Sequence, residues 1–330
     1  MTTPTHDVCA IGNAIVDIIS TCDDLFLDRE DIRKASMTLI ERDRARHLTA
    51  LADQPDMVSG GSAANTISGL VACGGRGAFI GKVGQDPLGK IFHKDMVSMG
   101  VAYRTPFYVG NDLETARCHI FVTPDGERSM NTYLGVSVEF GVGDLDEELI
   151  KAAQITYLEG YLYDKESARL GFERAAEIAK AAGRKTAITL SDSWCVDRHR
   201  AEFQNLVRHS MDIVFANENE MLALAETENL EAAIETFRGT VPLMAITRSE
   251  KGALVVTADE IIEVPTTPVA KLTDATGAGD QFAAGFLYGQ THGMGLKESA
   301  ALGCKLASHV IQVIGPRLTV DPRAWVKSAA

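Results

Sequence analysis

The chain has 330 residues, of which 45% are hydrophobic and 23% charged, and no tract is compositionally biased. That length accommodates one large α/β domain with a smaller appendage, or two modest domains, and the composition excludes a disordered or fibrous chain. Lys and Arg number 32 against 45 Asp and Glu, a formal charge of −13, so nucleic acid and membrane surfaces are excluded as partners, while a small anion held by local donors and a metal is not.

The N-terminus has no basic region, and its apolar stretch from Val8 to Ile19 is broken by Asn13 and Asp17, which argues against a signal peptide. No apolar run approaches the roughly 20 residues of a membrane helix, and a cytoplasmic location is expected. The cysteines at 9, 22, 73, 118, 195 and 304 form no CxxC pair, and the histidines no HExxH. Free thiols in a reducing compartment are expected, with neither a disulfide framework nor a dedicated metal cage.

In chain order, strands are expected at Val8–Ile11, Ala78–Val83, Ile155–Glu159, Thr186–Leu190, Ile213–Ala216, Leu243–Thr247 and Ala253–Val256. Helical spacing appears between them, as in Ser167–Ala182 and Leu296–Val313. Such alternation predicts an α/β fold with a mostly parallel central sheet flanked by helices. Two segments interrupt it. From Asn13 the chain is β-like and then charged and irregular to Arg46. Cys118–Thr123 and Arg128–Leu134 flank the turn Pro124-Asp125-Gly126-Glu127 and read as a hairpin. The expected division is therefore a large domain from 1–12, 46–100 and 140–330, and a small β-rich lid from 13–45 and 101–139. An antiparallel extension of the main sheet, without motion, is the alternative.

The most informative stretch is Asp274-Ala275-Thr276-Gly277-Ala278-Gly279-Asp280, followed by Gln281-Phe282. Its small residues let backbone amides converge, and the apolar spacing of Phe282, Ala283, Phe286 and Leu287 starts a helix whose free N–H groups attract phosphate. Asp280 at that start repels a phosphate unless it takes a proton from an attacking hydroxyl; a plain N-cap is the other reading. No GxGxxG occurs, and Gly81-Lys82 lacks the flanking residues of a Walker loop, so a nucleotide site must be built otherwise.

The DATGAGD stretch resembles the C-terminal signature of the ribokinase-like (PfkB) carbohydrate and nucleoside kinases. Three more motifs follow that family's order: Gly60-Gly61-Ser62-Ala63-Ala64-Asn65, Ile80 through Gly89, and Asn217-Glu218-Asn219-Glu220. The resemblance spans residue 12 to about 315. It implies a ribokinase-like fold and a phosphotransferase acting on an alcohol group, with ATP and Mg²⁺ as cofactors and potassium left open. Asp280 resembles the catalytic base, and Gly277, Ala278 and Gly279 the anion hole for the transferred phosphoryl. Arg128 resembles a lid arginine that approaches the phosphates. Asn217 and Glu220 match residues that organise Mg²⁺ and ATP through water, with no direct protein ligand to the metal; alternatively Asn217 merely caps a helix. Thr247, Ser249 and Gly252 stand where the family holds the nucleotide, although the usual glycine is Ser249 here and a simple β-turn fits as well. Asp274 and Thr276 complete the ATP/Mg set.

For the acceptor, the resemblance points to Asn13, Asp17, Gly60, Gly61, Ser62 and Asn65 as sugar contacts, a set that suits vicinal hydroxyls. Their pattern is more like the adenosine kinases than the ribokinases, which implies the ribose 5′-hydroxyl of adenosine as acceptor. Thr38, Ile40, Cys118, Met130, Thr132 and Leu162 are the implied apolar walls for a purine. Ala63-Ala64 departs from the eukaryotic adenosine kinase pattern and keeps inosine, guanosine or a furanose sugar open. A catalytically silent ligand sensor on the same fold is the alternative of another class. The expected partner is a small nucleoside or sugar, and the expected state a monomer or homodimer.

Overall fold

The structure, a computed structural model, describes residues 3–110 and 112–329; residues 1, 2, 111 and 330, which the expected domain ranges include, lie outside the described residues. Fourteen strands are described: β1 (His6–Ile11), β2 (Ile15–Thr21), β3 (Met37–Leu39), β4 (Asp56–Gly60), β5 (Gly77–Ile80), β6 (Ala102–Tyr103), β7 (Ala116–Val122), β8 (Arg128–Tyr133), β9 (Ala153–Glu159), β10 (Lys185–Thr189), β11 (Ile213–Asn217), β12 (Leu243–Thr247), β13 (Ala253–Val256) and β14 (Ile261–Val264).

The large sheet runs β14-β13-β12-β11-β10-β9-β1-β5-β6. It is parallel from β6 to β12 and ends in two antiparallel strands, β13 and β14. In β1, Cys9 and Ile11 join the core on one face while Val8 and Ala10 join the core on the other. A strand buried on both sides reads as a continuous apolar run, which is why these central strands are visible in the sequence. Helix Glu166–Ala181 covers the first face and helix Ala278–Thr291 the second. Gly285 permits the crossing with helix Leu296–Val310, since a Cβ there would lie 2.7 Å from the Gly303 nitrogen. No helix among the described residues is long and apolar enough to cross a membrane.

The small sheet has the order β3-β8-β7-β2-β4. It contains the expected hairpin, β7–β8, and the β-like run after Asn13, β2, which pair as one sheet through β2 and β7. Two segments sit in the other sheet from the one expected. Asp56–Gly60 pairs with β2 in the small sheet, and Ala102–Tyr103 pairs with β5 in the large one. Neither two-residue β6 nor the polar, half-exposed β4 carries a pattern strong enough to assign it from sequence.

Some expected ends also shift. The helix from Leu296 stops at Val310 rather than Val313, because the Ile311 carbonyl accepts the Thr273 and Asp274 amides at 2.8 and 3.1 Å. The strand from Ala78 stops at Ile80 because Gly81 turns away, its carbonyl bound by the Tyr103 hydroxyl at 2.9 Å. The Ile80–Gly89 motif serves this turn: Asp86 caps helix Pro87–Ser98 through the Gly89 amide and holds Thr115, at the entry to β7, through its amide and hydroxyl.

Candidate active site

Asn13, Glu159, Asn217 and Thr247 all lie at or just beyond the C-terminal ends of parallel strands β1, β9, β11 and β12. In open α/β sheets this is the edge where ligands collect. Against it stands the first turn of helix Ala278–Thr291. Gly277, at φ +80°, turns the chain into that helix, and a Cβ on it would lie 2.6 Å from Pro316 backbone atoms. Around Gly279 a Cβ would meet nothing, so this turn opens to space on the ligand side. Its amides and the helix dipole favour an anion there.

Asp280 sits in that first turn, partly exposed. Ser62 Oγ donates to its Oδ1 at 2.5 Å and Asn65 Nδ2 to its Oδ2 at 3.1 Å. Asp280 does not act as the N-cap; Gly277 holds that position. Burial pushes its carboxyl up to about 6, and the two hydrogen bonds oppose the rise. A carboxylate of that strength, held by two donors at the mouth of an amide cradle, is suited to take a proton from a hydroxyl near neutral pH.

Asp17, on β2, is 8% exposed, and its carboxylate has no hydrogen-bond partner among the described residues. Burial again raises it, to about 6, against the charges of Arg317 and Arg128 and helped by that of Asp280. A Cβ on Gly60 would come within 2.4 Å of Asp17 Oδ2, and one on Gly61, at φ +98°, within 2.3 Å of the Asn13 carbonyl. The double glycine is therefore required by the chain itself, before any ligand is considered. Asn13 is committed internally too: its Nδ2 donates to Glu159 Oε1 at 2.8 Å and its Oδ1 accepts from Ser137 Oγ at 3.0 Å.

Glu159 is a residue that sequence reasoning passed over as the last position of a strand. It is 1% exposed and also accepts the Ala63 amide at 2.8 Å, which ties the start of helix Ser62–Ala72, and with it Ser62 and Asn65, to the end of β9. Burial raises its carboxyl to about 7, opposed by these donors. Only its position at a strand's C-terminal end could have marked it.

Arg128, at the start of β8, pairs with Asp274 Oδ2 at 2.7 Å, yet none of its guanidinium nitrogens has a well-directed hydrogen-bond partner among the described residues. A buried guanidinium so placed is short of acceptors, a deficit that phosphate oxygens would fill. Asp274 also receives the Thr276 amide at 3.0 Å and the Gly315 amide at 2.9 Å, and so shapes the glycine-rich loop.

Asn217 and Glu220 form a reciprocal capping box on helix Glu218–Ala225, with Asn217 Nδ2 on Glu220 Oε1 at 2.6 Å. Glu220, 5% exposed, is raised to about 7 by burial, with the Asn217 amide opposing and Asp192 adding to the rise. The remaining lone pairs of Glu220 could receive a water of hydrated Mg²⁺, a metal that keeps several waters. Thr247, Ser249 and Gly252 form a separate turn with no hydrogen bond to the Asp280 group among the described residues. Ser249 adopts φ +51°, the left-handed conformation that favours glycine.

The walls need correction. Residues in register on neighbouring strands share a face, so Asp17, Cys118 and Thr132 line one side of the small sheet, with Met130 next along β8. Cys118, Ile120, Val122, Ile15, Ile19 and Met130 pack on that side. Met37 and Leu39 are in register with Met130 and Thr132, whereas Thr38 is in register with Asn131 and faces the other way. Ile40 packs against Leu27, Ile32, Leu48 and Phe121 on that opposite side. On β3 the apolar positions that share the Asp17 face are thus Met37 and Leu39, each 54% exposed. Leu162 is 2% exposed in the core of the large domain, and its neighbour Tyr161, 41% exposed, is the one at the surface.

A family profile described as pfkB family carbohydrate kinase matches residues 5–323. The structure of adenosine kinase from Sinorhizobium meliloti is 48% identical, with 98% of this chain and 99% of that one covered and a TM-score of 0.89. A probable sugar kinase protein from Rhizobium etli CFN 42 is 44% identical, with 99% of both chains covered and the same TM-score. Adenosine kinase 1 of Arabidopsis thaliana is 26% identical over 92% of this chain and 94% of its own length.

Proposed function

The chain belongs to the pfkB family of carbohydrate kinases and is a phosphotransferase acting on a hydroxyl group of a nucleoside or sugar, and from that premise we propose that its acceptor is adenosine, phosphorylated on the ribose 5′-hydroxyl to AMP. The observation that carries the reading is the Asp280 cluster: a carboxylate raised toward neutrality, held by Ser62 and Asn65 beside the Gly277–Gly279 amides. Asp17, buried and unpartnered, accepts hydrogen bonds from the ribose hydroxyls. Asp280 removes the proton from the 5′-oxygen as that oxygen attacks the γ-phosphoryl in line, the bond from the γ-phosphorus to the β,γ-bridging oxygen breaks and ADP leaves. The first-turn amides and Arg128 receive the charge of the transferred group. Mg²⁺, when bound with ATP near Glu220, supplies neutralisation of the phosphate oxygens.

The similarity to adenosine kinases supports the nucleoside, and the exposed apolar pair Met37 and Leu39 on the Asp17 face offers a surface against which a purine can pack. The match to a probable sugar kinase protein supports the second reading, a furanose acceptor, in which that apolar surface would have no role. Incubation with adenosine, ATP and Mg²⁺ should yield a 5′-monophosphate identifiable by its ³¹P–¹H coupling. Nucleoside left unmodified while ribose or fructose is phosphorylated would overturn the adenosine assignment.

A further inference from the structure

Arg317 follows Gly315 and Pro316 beyond the last core helix, 252 residues from Asn65, and no sequence motif marks it. Its side chain is 19% exposed and is gripped on several sides. Nη1 donates to Asp95 Oδ2 at 3.0 Å, and Nη2 to the Ser59 carbonyl and to Ser59 Oγ, the latter at 2.7 Å. Nε points at Asn65 Oδ1 at 3.4 Å. Asp95, on helix Pro87–Ser98, accepts the Ser59 amide at 2.9 Å as well. One guanidinium thus joins the body helix, the end of β4 immediately before Gly60-Gly61, and the Asn65 amide.

Two consequences follow from chemistry. A guanidinium has donors only, so the Asn65 oxygen must face Arg317, and its NH₂ is left to face Asp280 Oδ2, as found at 3.1 Å. The charges that face Asp17 come from three other elements: Arg317 first, Arg128 from β8, and Asp280 in opposition. The Cys118 thiol beside it on β7 is pushed up to about 12, mainly by burial, and stays neutral. Arg317 is therefore the leading favourable charge on a buried carboxylate that has no hydrogen-bond donor of its own.

We propose that Arg317 is a positioning residue for the acceptor, fixing the Ser59–Gly60 end of β4 and the Asn65 amide relative to Asp280. Its charge also favours the ionised form of Asp17, which accepts hydroxyl hydrogen bonds. The inference rests on the assignment of Asp17 and Asn65 to the acceptor site. Asp17 lies on the small sheet and Asp280 in the large domain, so a group that sets their relation acts on acceptor binding more than on ATP.

The test uses Arg317→Gln, which removes the charge, and Arg317→Lys, which keeps it without the fork. The first readout needs no acceptor: the carboxyl ¹³C titration of Asp17 in the ligand-free protein, assigned by difference from Asp17→Asn. Arg317→Gln should raise the midpoint by about one pH unit, the scale of losing a nearby opposite charge, and Arg317→Lys should leave it in place. The second readout is kinetic. At pH 7 the Gln variant should raise the acceptor KM about tenfold, with ATP KM within about twofold of wild type; about twofold of that loss comes from protonation of Asp17 and should disappear as pH rises above the new midpoint, and the rest, from lost positioning, should remain. The Lys variant should raise acceptor KM by a smaller factor that does not vary with pH. An unmoved Asp17 midpoint with unchanged acceptor KM in Arg317→Gln overturns the inference itself. A moved midpoint with unchanged acceptor KM overturns both the proposal and the assignment of Asp17 on which it rests.

Discussion

Replacing Asp280 with Asn should make the enzyme nearly inactive and, above about pH 6, no less stable. The carboxyl is displaced from 3.8 to about 6 in the folded chain. At 1.36 kcal/mol per unit, the ionised form therefore costs up to about 3 kcal/mol relative to the unfolded chain. Because the folded pKa is raised, the proton favours the folded state: the cost is absent below pH 3.8, grows as pH rises through 6, and is complete above it. Asn has no charge to desolvate and avoids this cost. It keeps an oxygen for the Ser62 hydroxyl, but its NH₂ then confronts the Asn65 NH₂, whose orientation Arg317 restrains. That conflict should return about 1–3 kcal/mol. Stability at pH 8 by urea unfolding should therefore lie between wild type and about 2 kcal/mol above it, and as pH falls toward 4, where only the amide conflict remains, the variant should drop to about 1–3 kcal/mol below wild type. Turnover should drop by roughly 10²–10⁴, the scale of a lost general base. A variant with near-wild-type turnover would refute the role of Asp280. One that is strongly destabilised at pH 8 would refute the claim that its burial is a cost.

Asp17→Asn should raise acceptor KM about tenfold or more with ATP KM little changed, since its contacts exist before the transition state; an unchanged acceptor KM removes Asp17 from the site. Glu159→Gln should lower stability by about 1–3 kcal/mol near pH 4, where the raised carboxyl of wild type is neutral, because its two oxygens receive donors from Asn13 and Ala63 and an amide nitrogen would oppose one of them, while at pH 8 relief of the burial cost should offset that loss; thermal unfolding at pH 4 unaffected by the change would contradict that. Met37→Ser with Leu39→Ser should weaken adenosine more than ribose, judged by kcat/KM for each, whereas Thr38→Ser should affect neither; equal losses on both acceptors would detach this strand from base recognition. Wild-type turnover should fall with a limb near pH 6 as Asp280 takes up a proton, and a limb near pH 4 would mean an unperturbed base.

The central strands and the glycine-rich loop were legible in the sequence because their signals are local. β1, β9, β11 and β12 are apolar runs buried on both faces, and the turn into the Asp280 helix is marked by glycines whose conformation leaves few substitutes. The reading of the small sheet stopped where register decides. Thr38 and Ile40 lie one residue out of phase with Met37 and Leu39, and only the pairing of β3 with β8 shows which pair shares the Asp17 face. Glu159 and Arg317 were invisible for a different reason. Their partners are 96 to 258 residues away, and an isolated Glu or Arg carries no periodicity. Gly60 and Gly61 are expected from the resemblance as sugar contacts, and the pairing of β2 with β4 shows a second demand on them, since Asp17 and the Asn13 carbonyl occupy the space a Cβ would take.

The most direct test of the account is kcat/KM with ATP and Mg²⁺ for adenosine, inosine, guanosine, ribose and fructose under identical conditions. The account predicts adenosine ahead of inosine and guanosine, and all three ahead of the free sugars. Ribose or fructose in first place would contradict the nucleoside assignment, and adenosine that binds without turnover on any acceptor would contradict the catalytic role given to Asp280.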